Sequence, residues 1–125
     1  MPRRLLTVTC GLLLAASACG HPPSSEAGPK IPPARVEVSN NYALPLEISV
    51  FGGGTLHRLG LVNPGMSSRF EIPPSLIRAG SVEFQANPSV SNQRYRSGEL
   101  LLSPGSVVDL VIASVLFNST ATLRP

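Results

Sequence analysis

The feature that most constrains the fold is a period of two in the apolar residues, repeated in short segments from Arg35 to the end of the chain. Val36 and Val38 alternate with Glu37 and Ser39. Leu46, Ile48 and Val50 alternate with Glu47 and Ser49. Leu59 and Leu61 flank Gly60, Phe70 and Ile72 flank Glu71, and Val82, Phe84 and Ala86 alternate with Glu83 and Gln85. Leu100 and Leu102 share a face. Val108, Leu110 and Ile112 follow the same rule, as do Ser119, Ala121 and Leu123 among threonines. Side chains two apart lie on one side of a strand, so each segment has one face for a core and one for water. Segments this short, separated by Gly, Pro, Asn and Ser, predict an all-β, small antiparallel β-sandwich of about seven or eight strands. The strands are expected near 35–39, 46–51, 55–62, 68–72, 81–87, 94–102, 106–112 and 118–123. Phe70 and Phe84 fall on inward faces and are expected near the core centre.

The turns support this reading. Asn40-Asn41 and the Gly52-Gly53-Gly54 run tolerate the positive φ of tight hairpins. Pro64-Gly65 and Pro104-Gly105 suit type I or type II turns, with Pro setting φ and Gly taking the next position. Pro45 and Pro88 fall at strand ends, where a missing N–H costs least. Only Pro73–Gly80 competes as a helix, for one or two turns, with prolines in front and glycine behind.

The first 34 residues have a different texture. Met1-Pro2-Arg3-Arg4 is a short positive start, and Leu5–Ala18 is an uncharged apolar run of 14 residues. That is too short for a stable span of the hydrocarbon layer, which needs about 20 residues, and it fits an export signal. Ala16-Ser17-Ala18-Cys19 supplies the small residues a signal peptidase accepts. The same four residues resemble the bacterial lipobox, although Leu is commoner where Ala16 stands. The resemblance implies cleavage between Ala18 and Cys19 and a diacylglycerol on the Cys19 sulfur. We therefore expect residues 1–18 to be a lipoprotein-type signal peptide and Cys19 to be the lipidation site. Two or more acyl chains, such as palmitate, hold a protein on a bilayer where one binds marginally. Without lipid on Cys19 the protein would be secreted. Gly20 is not Asp, which by resemblance to lipoprotein sorting favours the outer membrane over the inner in a two-membrane cell.

Residues 19–34 then form a spacer. Five of the residues in 20–34 are Pro, with Gly and Ser between them and no apolar periodicity. At roughly 3.1 Å per residue this segment reaches up to about 45 Å from a membrane. The domain proper is 35–125.

Composition excludes several function classes. The ten basic residues include Arg3 and Arg4 of the signal, so the remainder nearly balances the seven acids. They are scattered singly, whereas a nucleic-acid surface needs a concentrated patch. Cys10 falls inside the signal and Cys19 at its end, leaving the domain no disulfide, thiol nucleophile or thiolate metal site. No cofactor is implied.

Chemical constellations are equally sparse. His57 is the domain's one histidine and Asp109 its one aspartate, and no G-x-S-x-G elbow accompanies the serines. His21 stands alone in the spacer. Glu37, Glu47, Glu71 and Glu83 fall at the polar phase of strands, as a solvated sheet face requires. The glycine run at 52–54 lacks the Lys-Ser/Thr of a phosphate loop. Asn118-Ser119-Thr120 matches a glycosylation sequon, but the lipobox resemblance implies a bacterium, where that match is usually accidental. Arg94-Tyr95-Arg96 is the one local cluster with binding character, since Arg and Tyr are enriched at recognition hot spots. Its bland alternative is a charged edge strand that discourages aggregation.

The stretches Arg58-Leu59-Gly60-Leu61-Val62, Phe70-Glu71-Ile72-Pro73 and Leu102-Ser103-Pro104-Gly105-Ser106-Val107-Val108-Asp109-Leu110 resemble a pattern in small uncharacterised bacterial lipoproteins. In these, a lipobox signal precedes a single immunoglobulin- or transthyretin-like β-sandwich. The resemblance covers roughly 35–123 and implies a fold and an envelope location, with no activity attached. The resulting expectation is a non-enzymatic, membrane-anchored envelope lipoprotein presenting a sandwich that binds or scaffolds an envelope protein or glycan. The alternatives are an accessory lipoprotein that assembles a secretion or transport complex through an edge strand and, more remotely, an envelope hydrolase.

Overall fold

A computed structural model describes residues 31–124. The expected signal peptide, the Ala18–Cys19 cleavage and lipidation site and most of the spacer lie outside the described residues. The domain is an all-β sandwich of eight strands: β1 (Arg35–Asn40), β2 (Leu46–Gly52), β3 (Thr55–Val62), β4 (Ser67–Glu71), β5 (Ser81–Pro88), β6 (Tyr95–Leu101), β7 (Val107–Ile112) and β8 (Thr120–Arg124). A short helix, α1 (Pro74–Arg78), joins β4 to β5, and a 3-10 turn at Leu116–Asn118 joins β7 to β8. One sheet has the order β4-β1-β7-β8 and the other β3-β2-β5-β6.

The alternation read from the sequence sets the inward faces of β1, β2, β5 and β7. Val36, Val38, Leu46, Ile48, Val50, Val82, Phe84, Ala86, Val108, Leu110 and Ile112 are all buried. Each removes roughly 1.5–3 kcal/mol worth of apolar side chain from water, less for alanine. Leu76 of α1 and Leu102 join the same core.

Four features depart from the expectation. β1 and β7 pair in parallel, Val36 opposite Val108 and Val38 opposite Leu110, while all other pairs are antiparallel. A period of two specifies which face is buried and is silent on a neighbour's direction, and partners so distant in sequence need no hairpin. Next, a β-bulge in β3 sets Gly60 opposite Ile48 but Arg58 opposite Ser49, leaving Leu59 as the extra residue. The insertion turns Leu61 outward, opposite Glu47, and Gly60 inward. Phe70, expected near the core centre, is only half-buried on the edge strand β4. Its ring fills the space over Gly60, where an added Cβ would lie 2.6 Å from Phe70 Cε1. Phe84 is the aromatic at the core centre.

Finally, Asn40 and Asn41 take no positive φ, whereas Gly53, Gly54, Gly65 and Gly105 do, as turn chemistry requires. Asn40 instead ends β1 with its side chain 1% exposed. Its Nδ2 donates to the carbonyls of Leu44 at 3.0 Å and Val62 at 2.9 Å, and its Oδ1 accepts from the Tyr42 N–H at 2.9 Å.

Strand directions sort the connections between two ends. β1 runs away from the spacer. β7 is parallel to it and β4 antiparallel, while β5 and β3 both run opposite to β2. Every odd-numbered strand therefore points away from the point of chain entry. The entry end holds Ala34, whose carbonyl accepts from Ile72 N–H, and Arg35, whose N–H donates to Ser106. The far end holds the four connections 41–45, 63–66, 89–94 and 113–119. They are tied together by Asn40 N–H to Met66, Asn41 N–H to Ile112 and Ser89 N–H to Pro45.

Candidate functional site

Arg94-Tyr95-Arg96 lies where the 89–94 connection enters β6, an edge strand of its sheet. Alternation turns Tyr95 inward, opposite Ala86, to pack on the core margin, and Arg96 outward, opposite Gln85. Burial pushes the Tyr95 phenol above its usual pKa. Arg96 Nε lies 3.5 Å from Glu83 Oε1 and stays largely exposed, whereas Arg94 makes no ion pair among the described residues. The segment is a charged edge, and its residues form one wall of a surface cleft.

What the sequence reading missed is the opposite wall. The β7–β8 connection places Val115, Leu116 and Phe117 against Gln93–Arg96 across a surface cleft of about 530 Å³. Leu116 is buried and anchors the turn in the core, which forces its neighbours outward. Val115 is 56% and Phe117 93% exposed. The turn is held by Ser119, whose buried Oγ accepts from the Ala113 N–H at 3.0 Å. This leaves the Asn118-Ser119-Thr120 sequon with a packing role. Val90 and Met66 are also exposed at the same end. A signal was present: Val115-Leu116-Phe117 is three successive apolar residues in a connection, which no strand periodicity explains.

The cleft lining is Gln93, Arg94, Tyr95, Arg96, Val115, Leu116 and Phe117. It contains cations, an aromatic hydroxyl and apolar side chains, and no carboxylate. It can bury apolar surface and receive an anionic group, and it holds no nucleophile–base pair.

The other candidates are dispersed. His57 sits on β3 opposite Val50, while Asp109 sits on β7 in the other sheet and accepts from Arg124 Nε at 3.1 Å. The core lies between them, so the hydrolase constellation of His57, Asp109 and a serine is not assembled. The four glutamates lie at the polar phase of their strands, and three of them are engaged by arginine. Glu37 takes Arg35, Arg69 and Arg124, Glu47 takes Arg58 at 3.2 Å, and Glu83 takes Arg96. The Arg124 hydrogen bond, then the nearby Arg124 and Arg69 charges, hold the Glu37 carboxyl below the usual carboxylate range, against the effect of desolvation. Gly53 and Gly54 form a hairpin tip. Among the described residues no group of three His, Cys, Asp or Glu gathers to hold a metal ion, and no helix is long and apolar enough to cross a membrane.

No family model and no curated protein matches the chain. Among solved structures it is similar to the NMR structure of a protein from Eubacterium rectale, at 12% identity and a TM-score of 0.46, covering 73% of this chain and 87% of that one.

Proposed function

We propose that this protein is a membrane-anchored envelope lipoprotein whose spacer holds a rigid sandwich off the bilayer and whose far end binds another envelope component. The observation that carries the reading is the division of the sandwich into two ends. The chain enters at one, where Ile31, Leu56 and Leu101 are exposed, and at the other Met66, Val90, Val115 and Phe117 are exposed beside a cleft lined by Arg94 and Arg96. The N-terminal pattern, a charged start, an apolar run and Ala16-Ser17-Ala18-Cys19, supports lipid anchoring at Cys19. Confinement near a surface raises effective concentration, so a shallow cleft suffices for a weak but useful contact. The proposed location is the outer membrane where the cell has two.

Labelled palmitate tests the anchor: it enters the wild type and not Cys19→Ala. Equal incorporation in both would remove the anchor. A second reading, assembly of a transport or secretion complex by strand addition, draws on β8 being the edge of its sheet. Proline at Thr122 abolishes binding under that reading and leaves it unchanged under the first.

A further inference from the structure

We infer that the far-end cleft takes an extended peptide segment of another protein, one that carries an aspartate or glutamate beside apolar side chains. The inference deepens the binding role proposed above and rests on it only for the cleft facing away from the membrane. Three properties of the cleft select this partner. First, one wall is the start of β6, whose edge away from β5 is paired by no strand of the sheet. An extended segment can satisfy such backbone groups by lying along them. The bulge where Gly98 takes φ 77° and Ser97 Oγ accepts from the Phe84 N–H ends the regular edge, so the available length is short.

Second, the facing wall is apolar and held in place. Leu116 is locked in the core, so Phe117 cannot withdraw by refolding its turn, and its ring stays in water until something covers it. Phe117 and Val115 offer adjacent apolar surface across from the backbone edge, where alternate side chains of an added strand would point. Third, the cleft lining itself is cationic: Arg94 and Arg96 line it and no acid does, while on the outer face of the sheet the two arginines share a second depression with Glu83 and Glu99. Glu83 already engages Arg96 from beneath, while Arg94 has no carboxylate partner among the described residues. An incoming carboxylate therefore finds a guanidinium with its planar donors unspent. A basic segment would be repelled, and a wholly apolar one would leave Arg94 under it without a partner.

The test uses the full-length chain in detergent micelles and a display library of random peptides of about a dozen residues, long enough to span the cleft as a strand. Selected peptides are expected to pair Asp or Glu with apolar residues, and their amide chemical-shift effects to centre on Gln93–Ser97 and Val115–Asn118. Arg94→Glu and Phe117→Ser, both on exposed side chains, should each weaken binding roughly tenfold or more. Peptides with no acidic preference, or peptides that bind both variants like the wild type, would overturn the inference. So would an empty selection alongside binding of anionic phosphatidylglycerol vesicles at Arg94. Failure of palmitate to label Cys19 would remove the anchor and leave this peptide site standing, so the two ideas fail separately.

Discussion

Asn40 is the side chain on which the far end of the sandwich turns, and replacing it tests the account of that end. Asn40→Ala keeps the backbone bonds of residue 40 to Met66 and Gly65. It deletes the side-chain bonds to Leu44, Val62 and Tyr42. At a net value of about 1 kcal/mol per bond the loss is about 3 kcal/mol. The site admits almost no water, so the stranded Val62 carbonyl keeps the figure from falling much lower. For a domain of this size that corresponds to a fall in Tm of roughly 12–24 °C. Urea unfolding should show a lower midpoint with an unchanged slope. Asn41→Ala, an exposed neighbour with its N–H bond to Ile112 intact, is the control and should change stability by less than about 0.5 kcal/mol. Asn40→Asp adds a sign. It keeps the acceptor for Tyr42 but sets a carboxylate against two carbonyls, which raises its folded-state pKa. Its protonated form, able to donate to one carbonyl, is favoured in the fold, so stability relative to Asn40→Ala should rise as pH falls and be lost as pH climbs. If Asn40→Ala and Asn41→Ala unfold at the same urea concentration, the hydrogen-bond hub is not what holds this end together.

Gly60→Ala places a Cβ against the Phe70 ring. It should cost about 1–3 kcal/mol, and a double-mutant cycle with Phe70→Ala should recover part of that loss. Phe117→Ser, which removes no buried contact, should leave the unfolding midpoint within about 0.5 kcal/mol of the wild type while weakening peptide binding. The Glu37 carboxyl is held below its ordinary pKa, first by the Arg124 hydrogen bond. Its contribution is therefore complete above the unfolded value of about 4.3 and is lost as pH falls through the lower folded value. Glu37→Gln or Arg124→Ala should flatten the acid limb of the stability–pH curve in that window, read by thermal melts.

The inward register of β1, β2, β5 and β7 could be read directly, because in those strands every second residue is apolar and buried, although Ser49 and Gln85 on the other face are buried as well. β3 could not. Gly60 between two leucines suggests two inward leucines, but the bulge at Leu59 sends Leu61 out and turns the glycine in. The purpose of that glycine is visible only once Phe70 arrives from the other sheet. Asn40-Asn41 was legible as a turn signal and not as a buried hub, since the three groups it binds include Val62, twenty-two residues away. The Arg124 contact with Glu37 is longer-range still, at 87 residues. Arg94-Tyr95-Arg96 was legible as a cluster. Its partner wall was not, because Val115-Leu116-Phe117 falls in the connection between β7 and β8, and nothing in chain order places it beside β6.

The two-ended layout bears on why the apolar residues can remain exposed. A nearly fully exposed Phe117 with a half-exposed Val115 in the same connection invites self-association, and sandwiches normally avoid such patches. Here the patch is bounded by Arg94 and Arg96, so two copies meeting face to face would bring like charges together. The cationic rim thus disfavours self-pairing, while an acidic partner meets both features at once. Strand direction does the rest. With β1 leading away from the spacer, the connections following β1, β3, β5 and β7 all fall at the far end, whatever their sequence. A bilayer at the spacer's origin would approach α1, the 52–55 hairpin tip and the Pro104-Gly105 turn first. Moving the same apolar residues to those connections would set them against lipid headgroups. Exposed apolar side chains stand at the spacer end too, Ile31, Leu56 and Leu101 among them, so what sets the far end apart for a tethered binder is the cleft that joins Phe117 to Arg94.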